Sequence, residues 1–142
     1  MIHDDLKLTG ALTIALNDEI VQETENLVVT AGKNWVADRM NDANTVMTHM
    51  AVGTGTTEAL AAQTALVTEL DRNALTTSGG TVSTNTITYE CTWAAADGTG
   101  AITEAGIFDA ASSGDMLART KFDVVNKGAD DSMTITWTIT VS

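Results

Sequence analysis

Leu6, Leu8, Gly10, Leu12, Ile14 and Leu16 alternate with Lys7, Thr9, Ala11, Thr13 and Ala15. A period of two puts one apolar and one polar face on an extended strand. Asn17, Asp18 and Glu19 supply a turn, and Ile20 to Thr30 resumes in extended style, ending on Leu27, Val28 and Val29. These two segments predict a hairpin. The strongest alternation closes the chain, where Met133, Ile135, Trp137, Ile139 and Val141 are separated by Thr134, Thr136, Thr138 and Thr140. It predicts a strand of about ten residues with an apolar inner face and an open threonine face. Ile87, Tyr89, Cys91 and Trp93 likewise share a face opposite Thr88, Glu90 and Thr92. After a turn at Gly98 to Gly100, Ile102 to Phe108 and then Met116 to Val125 read as further strands.

The period changes at Thr30. This residue is placed to cap a helix whose Trp35, Val36, Arg39 and Met40 fall on one side, with Asn41, Asp42 and Asn44 ending it. Met47 to Val52 predicts a short buried strand running into Gly53, Thr54 and Gly55. Ala59 to Leu70, with Leu66 and Leu70 at helical spacing, predicts a second helix. Roughly seven or eight strands with turn signals between them describe a mainly β protein, a β-sandwich or jelly roll with one or two short helices. No repeat, heptad stretch or proline-rich linker divides residues 1–142, which read as a single domain.

Composition narrows the partners. A chain of 142 residues that is 44% hydrophobic can build a core of its own. A net charge of −12 offers little to a phosphate backbone, so nucleic acid is not an expected partner. The single cysteine, Cys91, cannot form an intramolecular disulfide, which fits synthesis in a cytosol. The first ten residues lack the basic start and apolar stretch of a signal peptide. No run approaches the ~20 apolar residues that span a bilayer, so no membrane partner is expected.

The chemistry-bearing residues point mostly to structure. Gly53, Thr54 and Gly55 lack the remainder of a phosphate-loop or dinucleotide motif and read as a turn, and Gly32 with Lys33 reads as a helix entry. His3 and His49 stand far apart, without the short spacing of metal ligands. Cys91 falls on the inward side of its strand, where a small apolar thiol is ordinary. Asp4 with Asp5, Asp109 with Asp115, and Asp130 with Asp131 lie at turns or termini and match no calcium loop. No catalytic, cofactor-binding or metal-binding residue is assigned, and no cofactor is expected. Glu104 differs, because it interrupts an apolar stretch. It is either an outward residue or a carboxylate held in a structural ion pair by Arg72 or Arg119, or by a backbone amide. Among the tryptophans, Trp93 and Trp137 read as core, and Trp35 is the candidate interface anchor.

Three segments together carry a resemblance: AVGTGTT (51–57), TALVTELDR (64–72) and ITEAGIFDAASSGDMLARTKF (102–122). This set resembles a module of structural proteins of tailed bacteriophages, and TEAGIFD followed by MLAR is similar to the Glu-x-Gly-Leu-Phe-Asp and Leu-x-Ala pattern of tail-collar fibre proteins. LVVTAGKNWVADRM (27–40) and DSMTITWTITV (131–141) extend the likeness to small free-standing virion proteins. The resemblance implies either a capsid decoration (cement) protein or a tail-fibre or baseplate tip that binds a host receptor. The absence of a stalk and the acidic charge favour the first: a non-enzymatic homotrimer on the outer capsid surface, bound to the major capsid protein. In the alternative, the turns Ser112 to Asp115 and Ser78 to Val82 would touch the receptor, and a docking role for Met1 to Asp5 is open in either case.

Overall fold

The computed structural model describes residues 5–142. The alternating stretches become strands, and the strands form two antiparallel sheets that pack face to face as a β-sandwich. In chain order they are β1 (Leu8–Leu16), β2 (Glu19–Glu25), β3 (Leu27–Val28), β4 (His49–Gly53), β5 (Glu69–Ala74), β6 (Thr81–Ser83), β7 (Thr86–Trp93), β8 (Gly100–Phe108), β9 (Met116–Lys127) and β10 (Met133–Val141), with the helix α1 (Thr30–Met40) between β3 and β4. The first sheet has the order β2-β1-β10-β7-β6 and the second β3-β9-β8-β4-β5.

The two longest alternations occupy the middle of the first sheet. β1 pairs with β10 from Leu8 opposite Val141 to Leu16 opposite Met133. β10 in turn pairs with β7 from Met133 opposite Trp93 to Thr140 opposite Thr86. Their inward residues, among them Leu12, Ile14, Tyr89, Cys91, Trp93, Ile135 and Trp137, are buried against Met50, Val52, Ile102, Ala105 and Ile107 of the second sheet. Area removed from water by this layer is the main stabilising term of the fold. Trp137 satisfies its indole N–H on Asn26 Oδ1 at 2.9 Å, a polar contact within the apolar layer.

The sheets differ on their outer sides. The second is covered there as well, because Val29, Ala31 and Leu66 pack on Ala51, Phe108 and Met116 as a small separate core. Gly32 makes that approach possible, since a Cβ there would overlap the carbonyl of Leu117. The first sheet leaves its outer side open, and the expected threonine face is there: Thr92 and Thr134 hydroxyls lie 3.0 Å apart, and Thr88 and Thr138 3.3 Å.

Three expectations are corrected. Ala59 to Leu70 forms no helix. Residues 54–68 are an irregular loop, and Leu70 lies in β5. The amides of Val67 and Thr68, which a helix would bond to its own carbonyls, are taken by a carboxylate. Thr30 is the first helical residue rather than the cap; Val29 holds the cap position without a side-chain cap bond. Among the described residues the strands number ten, because β5 and β6 are also present and the Ile20 to Thr30 stretch divides at Asn26 into β2 of the first sheet and β3 of the second. β5 and β6 bury neither face in alternation, so periodicity gives them no signal.

Candidate functional site

The most elaborate polar arrangement in the molecule is centred on Glu104, on the outer side of the second sheet. Both β8 and β9 are bulged here, and the register shift between Ile102 and Glu104 sets the carboxylate away from the core that Ala105 and Ile107 face. Glu104 is fully buried. Its Oε2 accepts from the Gly55 amide at 2.6 Å and the Thr68 amide at 2.8 Å, and its Oε1 from the Val67 amide at 2.8 Å. Arg119, equally buried, donates to Oε1 from Nε at 3.1 Å and from Nη2 at 2.9 Å. The guanidinium also reaches Thr57 O at 2.9 Å and Gln63 Oε1 at 3.1 Å.

Five donor contacts therefore converge on one carboxylate, and each removes a cost that burial would otherwise impose. Burial alone pushes the Glu104 carboxyl up. The amides of Thr68 and Val67, the Arg119 guanidinium and the Gly55 amide outweigh it and hold the group below the ordinary glutamate value. It is an anchored anion, with no proton to give and no lone pair free to take one at neutral pH. Gly53 and Gly55 belong to this cradle, since a Cβ at Gly55 would overlap Glu104 Oε2. They serve close backbone approach to a protein carboxylate, as their sequence context without a phosphate-loop lysine already suggested.

Arg72 is not part of the pair. It binds Glu69 through Nη2 at 2.6 Å, donates from Nη1 to the carbonyls of Ala110 and Ser113 at 3.0 and 2.8 Å, and stacks 3.7 Å above the Phe108 ring. These contacts seat the β8–β9 loop. Within that loop Asp109 Oδ1 accepts the Asp115 amide at 2.7 Å, and Asp115 Oδ2 accepts from Asn44 at 3.0 Å. The pair of aspartates thus organises a turn. Asp131 does the same at the other end of the sandwich. Its hydrogen bonds from Asn17 and Gly128 hold its carboxyl below the usual aspartate range.

Trp35, the candidate interface anchor, is used within its own chain. The ring packs into the main core at 9% exposure, and Nε1 donates to Thr45 O at 2.8 Å. The helix is short and its far end exposes Met40, so the one large ring is what fastens it to the sandwich. Cys91 lies in the same core, its Sγ near the carbonyls of Asn73 and Ala74. Burial pushes this thiol up to about 12, which removes it as a nucleophile. Trp93 and Trp137 are fully buried in the core, as their alternation required. His49 contacts Thr48 Oγ1 through Nδ1 at 2.7 Å, while His3 and Met1 to Asp4 lie outside the described residues. Among the described residues no group of three or more metal-ligating side chains is gathered.

Two features escaped sequence reasoning. One is Lys127, buried with its ammonium on Ala94 O at 2.9 Å. The other is which stretch of backbone answers Glu104: a backbone amide was an expected partner, but nothing in the sequence placed it at Gly55, Val67 and Thr68. Only the isolation of Glu104 among apolar neighbours pointed toward it. No protein-family model, curated protein or solved structure matches the chain.

Proposed function

We propose that this protein is a non-enzymatic structural component of a tailed-phage virion: a capsid decoration protein that binds the outer shell as a homotrimer and stabilises contacts between major capsid subunits. One observation carries the reading. The three segments that resemble phage structural modules are distant in sequence, and they meet at a single point: Gly55 from the first, Val67 and Thr68 from the second, and Glu104 with Arg119 from the third. The shared pattern therefore encodes a lock that fixes a long loop on a rigid sheet. A protein whose task is to hold a lattice under internal pressure needs such a lock more than a reactive centre.

Charge supports the outer surface as the location. Of the seven basic residues Arg119 and Lys127 are buried, and Glu104 offsets only the first, so the exposed surface is slightly more acidic than the composition suggests. Such a surface repels packaged nucleic acid and keeps particles apart in solution.

The deciding experiment is the copy number of the chain in purified virions, measured by quantitative mass spectrometry against the major capsid protein. A ratio near parity is expected. A few copies per particle would transfer the protein to a tail-fibre or baseplate tip, and absence from the particle would overturn the reading.

A further inference from the structure

Only the first part of β9 has strand partners on both sides. β3 pairs with Ala118 and Arg119, and from Lys121 to Lys127 the strand pairs with β8 alone. A bulge turns this stretch outward. Between the pairs Ile102–Val125 and Glu104–Lys121, Thr103 of β8 faces Phe122, Asp123 and Val124 of β9. β2 of the other sheet runs alongside, yet among the described residues no backbone hydrogen bond joins the two strands. Instead, Gln22 Nε2 donates to Asp123 O at 2.8 Å, and the Asp123 N–H donates to Gln22 Oε1 at 2.9 Å. These are the two bonds that a residue of an antiparallel neighbour would exchange with Asp123. The Gln22 carboxamide thus holds a strand's place on an edge that has no strand.

The slot between β2 and β9 is apolar inside and acidic around. A cavity of about 220 Å³ there is lined by Leu16, Val21, Gln22, Val124, Val125 and Asn126. Val21 is 49% exposed and Val124 52%. Asp18, Glu19, Glu23 and Glu25 lie on or beside β2, Asp123 is exposed on β9, and no basic residue occurs between Lys7 and Lys33. On β9 itself Lys127 is buried, Arg119 is spent on Glu104, and Lys121 is held by Glu58 at 3.3 Å. The strands β1, β2 and β9 therefore present no exposed cation without a partner.

We infer that this slot takes an extended segment of a partner protein in which cationic and apolar residues alternate, added as a strand to β9 in the place that Gln22 holds. Extended geometry sets the alternation. Successive side chains point to opposite sides, so one set enters the recess against Val21 and Val124 while the other stays at the rim with Glu19, Glu23 and Asp123. Charge sets the occupant. An edge whose free charges are all negative repels a second copy of a chain at −12, a nucleic acid and an anionic lipid surface, and it draws in a basic strand. The inference does not rest on the virion reading. Within that reading, it names the chemistry of the shell segment that the protein grips.

The full chain is titrated into a fluorescent peptide of matching length that alternates lysine and valine, with anisotropy read at physiological salt. Saturable binding is expected. Val124→Lys, which sets a like charge at the recess, should weaken it about tenfold or more, and Gln22→Ala, which clears the edge, should tighten it severalfold. Neither side chain is buried, and near-ultraviolet circular dichroism from the buried tryptophans reports whether each variant keeps the fold. Two control peptides separate strand addition from plain charge attraction: one carries serine for valine, the other methyl groups on the pairing backbone nitrogens. Each is expected to bind the wild type about tenfold more weakly or worse. Absence of saturable binding overturns the inference, as does unchanged affinity in either control or either variant. A wild-type dimer that the peptide dissociates overturns it too, by giving the slot to a second copy. Peptide binding by a protein missing from virions would leave this inference standing and remove the proposed function. A virion protein that ignores the peptide would do the reverse.

Discussion

Arg119 Nη2 lies 2.9 Å from Glu104 Oε1, and neither side chain has any exposure to solvent. The pair differs from a simple buried salt bridge because three loop amides share the same carboxylate. Removing either charge leaves the other buried and uncompensated, which costs about 3–5 kcal/mol. Glu104→Gln and Arg119→Met are each expected to lower stability by about that amount in urea unfolding. Replacing both together by apolar residues, which often rescues an ordinary buried pair, is not expected to help here. The amides of Gly55, Val67 and Thr68 would still lack an acceptor. A double variant as stable as wild type would show that the loop does not depend on the carboxylate.

The same donors make stability depend on acid. The Glu104 carboxyl sits lower in the folded protein than in the unfolded chain, so the unfolded chain takes up the proton first as pH falls. Its contribution is complete above the unfolded value of about 4.3 and is lost as pH descends from there through the depressed folded value. Asp131, exposed and also lowered, changes in the same direction with less weight because solvent screens it. Urea midpoints measured from pH 7 downward are expected to stay level until the glutamate range and then drop. In Glu104→Gln the drop should be clearly shallower; an identical profile in that variant would place the acid sensitivity elsewhere.

The sandwich was legible wherever one side of a strand meets the core and the other meets water, as in β1, β7 and β10. There the period of two is imposed by burial and cannot be hidden. Legibility failed where a side chain supplies the bonds that a regular element would have made. Leu66 and Leu70 stand at helical spacing, but Glu104, some thirty-five residues away in sequence, takes the amides that a helix there would need. Glu104 itself was visible as an anomaly, with Arg72 and Arg119 equally eligible to answer it. The choice between them was made by register, since Arg119 stands opposite Gly106 on the neighbouring strand, whereas Arg72 on β5 reaches the Phe108 ring and the loop beyond. Trp35 packs in the core of its own chain, a placement the sequence did not signal because a helix with one large aromatic residue gives no clue to which surface receives it.

Gly55 tests how closely the cradle is fitted. A methyl group at this position meets Glu104 Oε2 and the side chain of Val67 at distances no real Cβ occupies. Gly55→Ala is therefore expected to cost about 1–3 kcal/mol, the usual penalty of overfilling a packed site. The loss should be local. Limited proteolysis should cut between residues 55 and 68 in the variant and leave the strands of the first sheet protected, because those bury their apolar faces independently of the loop. Uniform resistance to protease in Gly55→Ala would mean that the loop is held by Leu66 and the small outer core instead.

Cys91 reports on the seam where the two sheets touch through β5 and β7. Burial is the main reason its thiol is pushed up to about 12; the backbone hydrogen bond of Thr92 opposes it, the charge of Asp71 adds to it, and Met50 and Glu90 act more weakly in opposite directions. The folded protein therefore holds a neutral, covered thiol at a pH where an unfolded chain, with a value of about 8.5, is already ionising. A disulfide reagent at pH 8 is expected to leave the native protein unlabelled and to react fully once urea unfolds it. Stability should be level below about pH 8.5 and decline as pH climbs from there toward about 12, since the unfolded state releases the proton more readily. Asn73→Ala, which removes the tie from β5 to Thr92 O, should raise the labelling rate without changing the main core. Labelling of the wild type at the rate of a free thiol would mean that the seam opens in the native state, contrary to the packing of Cys91 against Asn73 and Ala74.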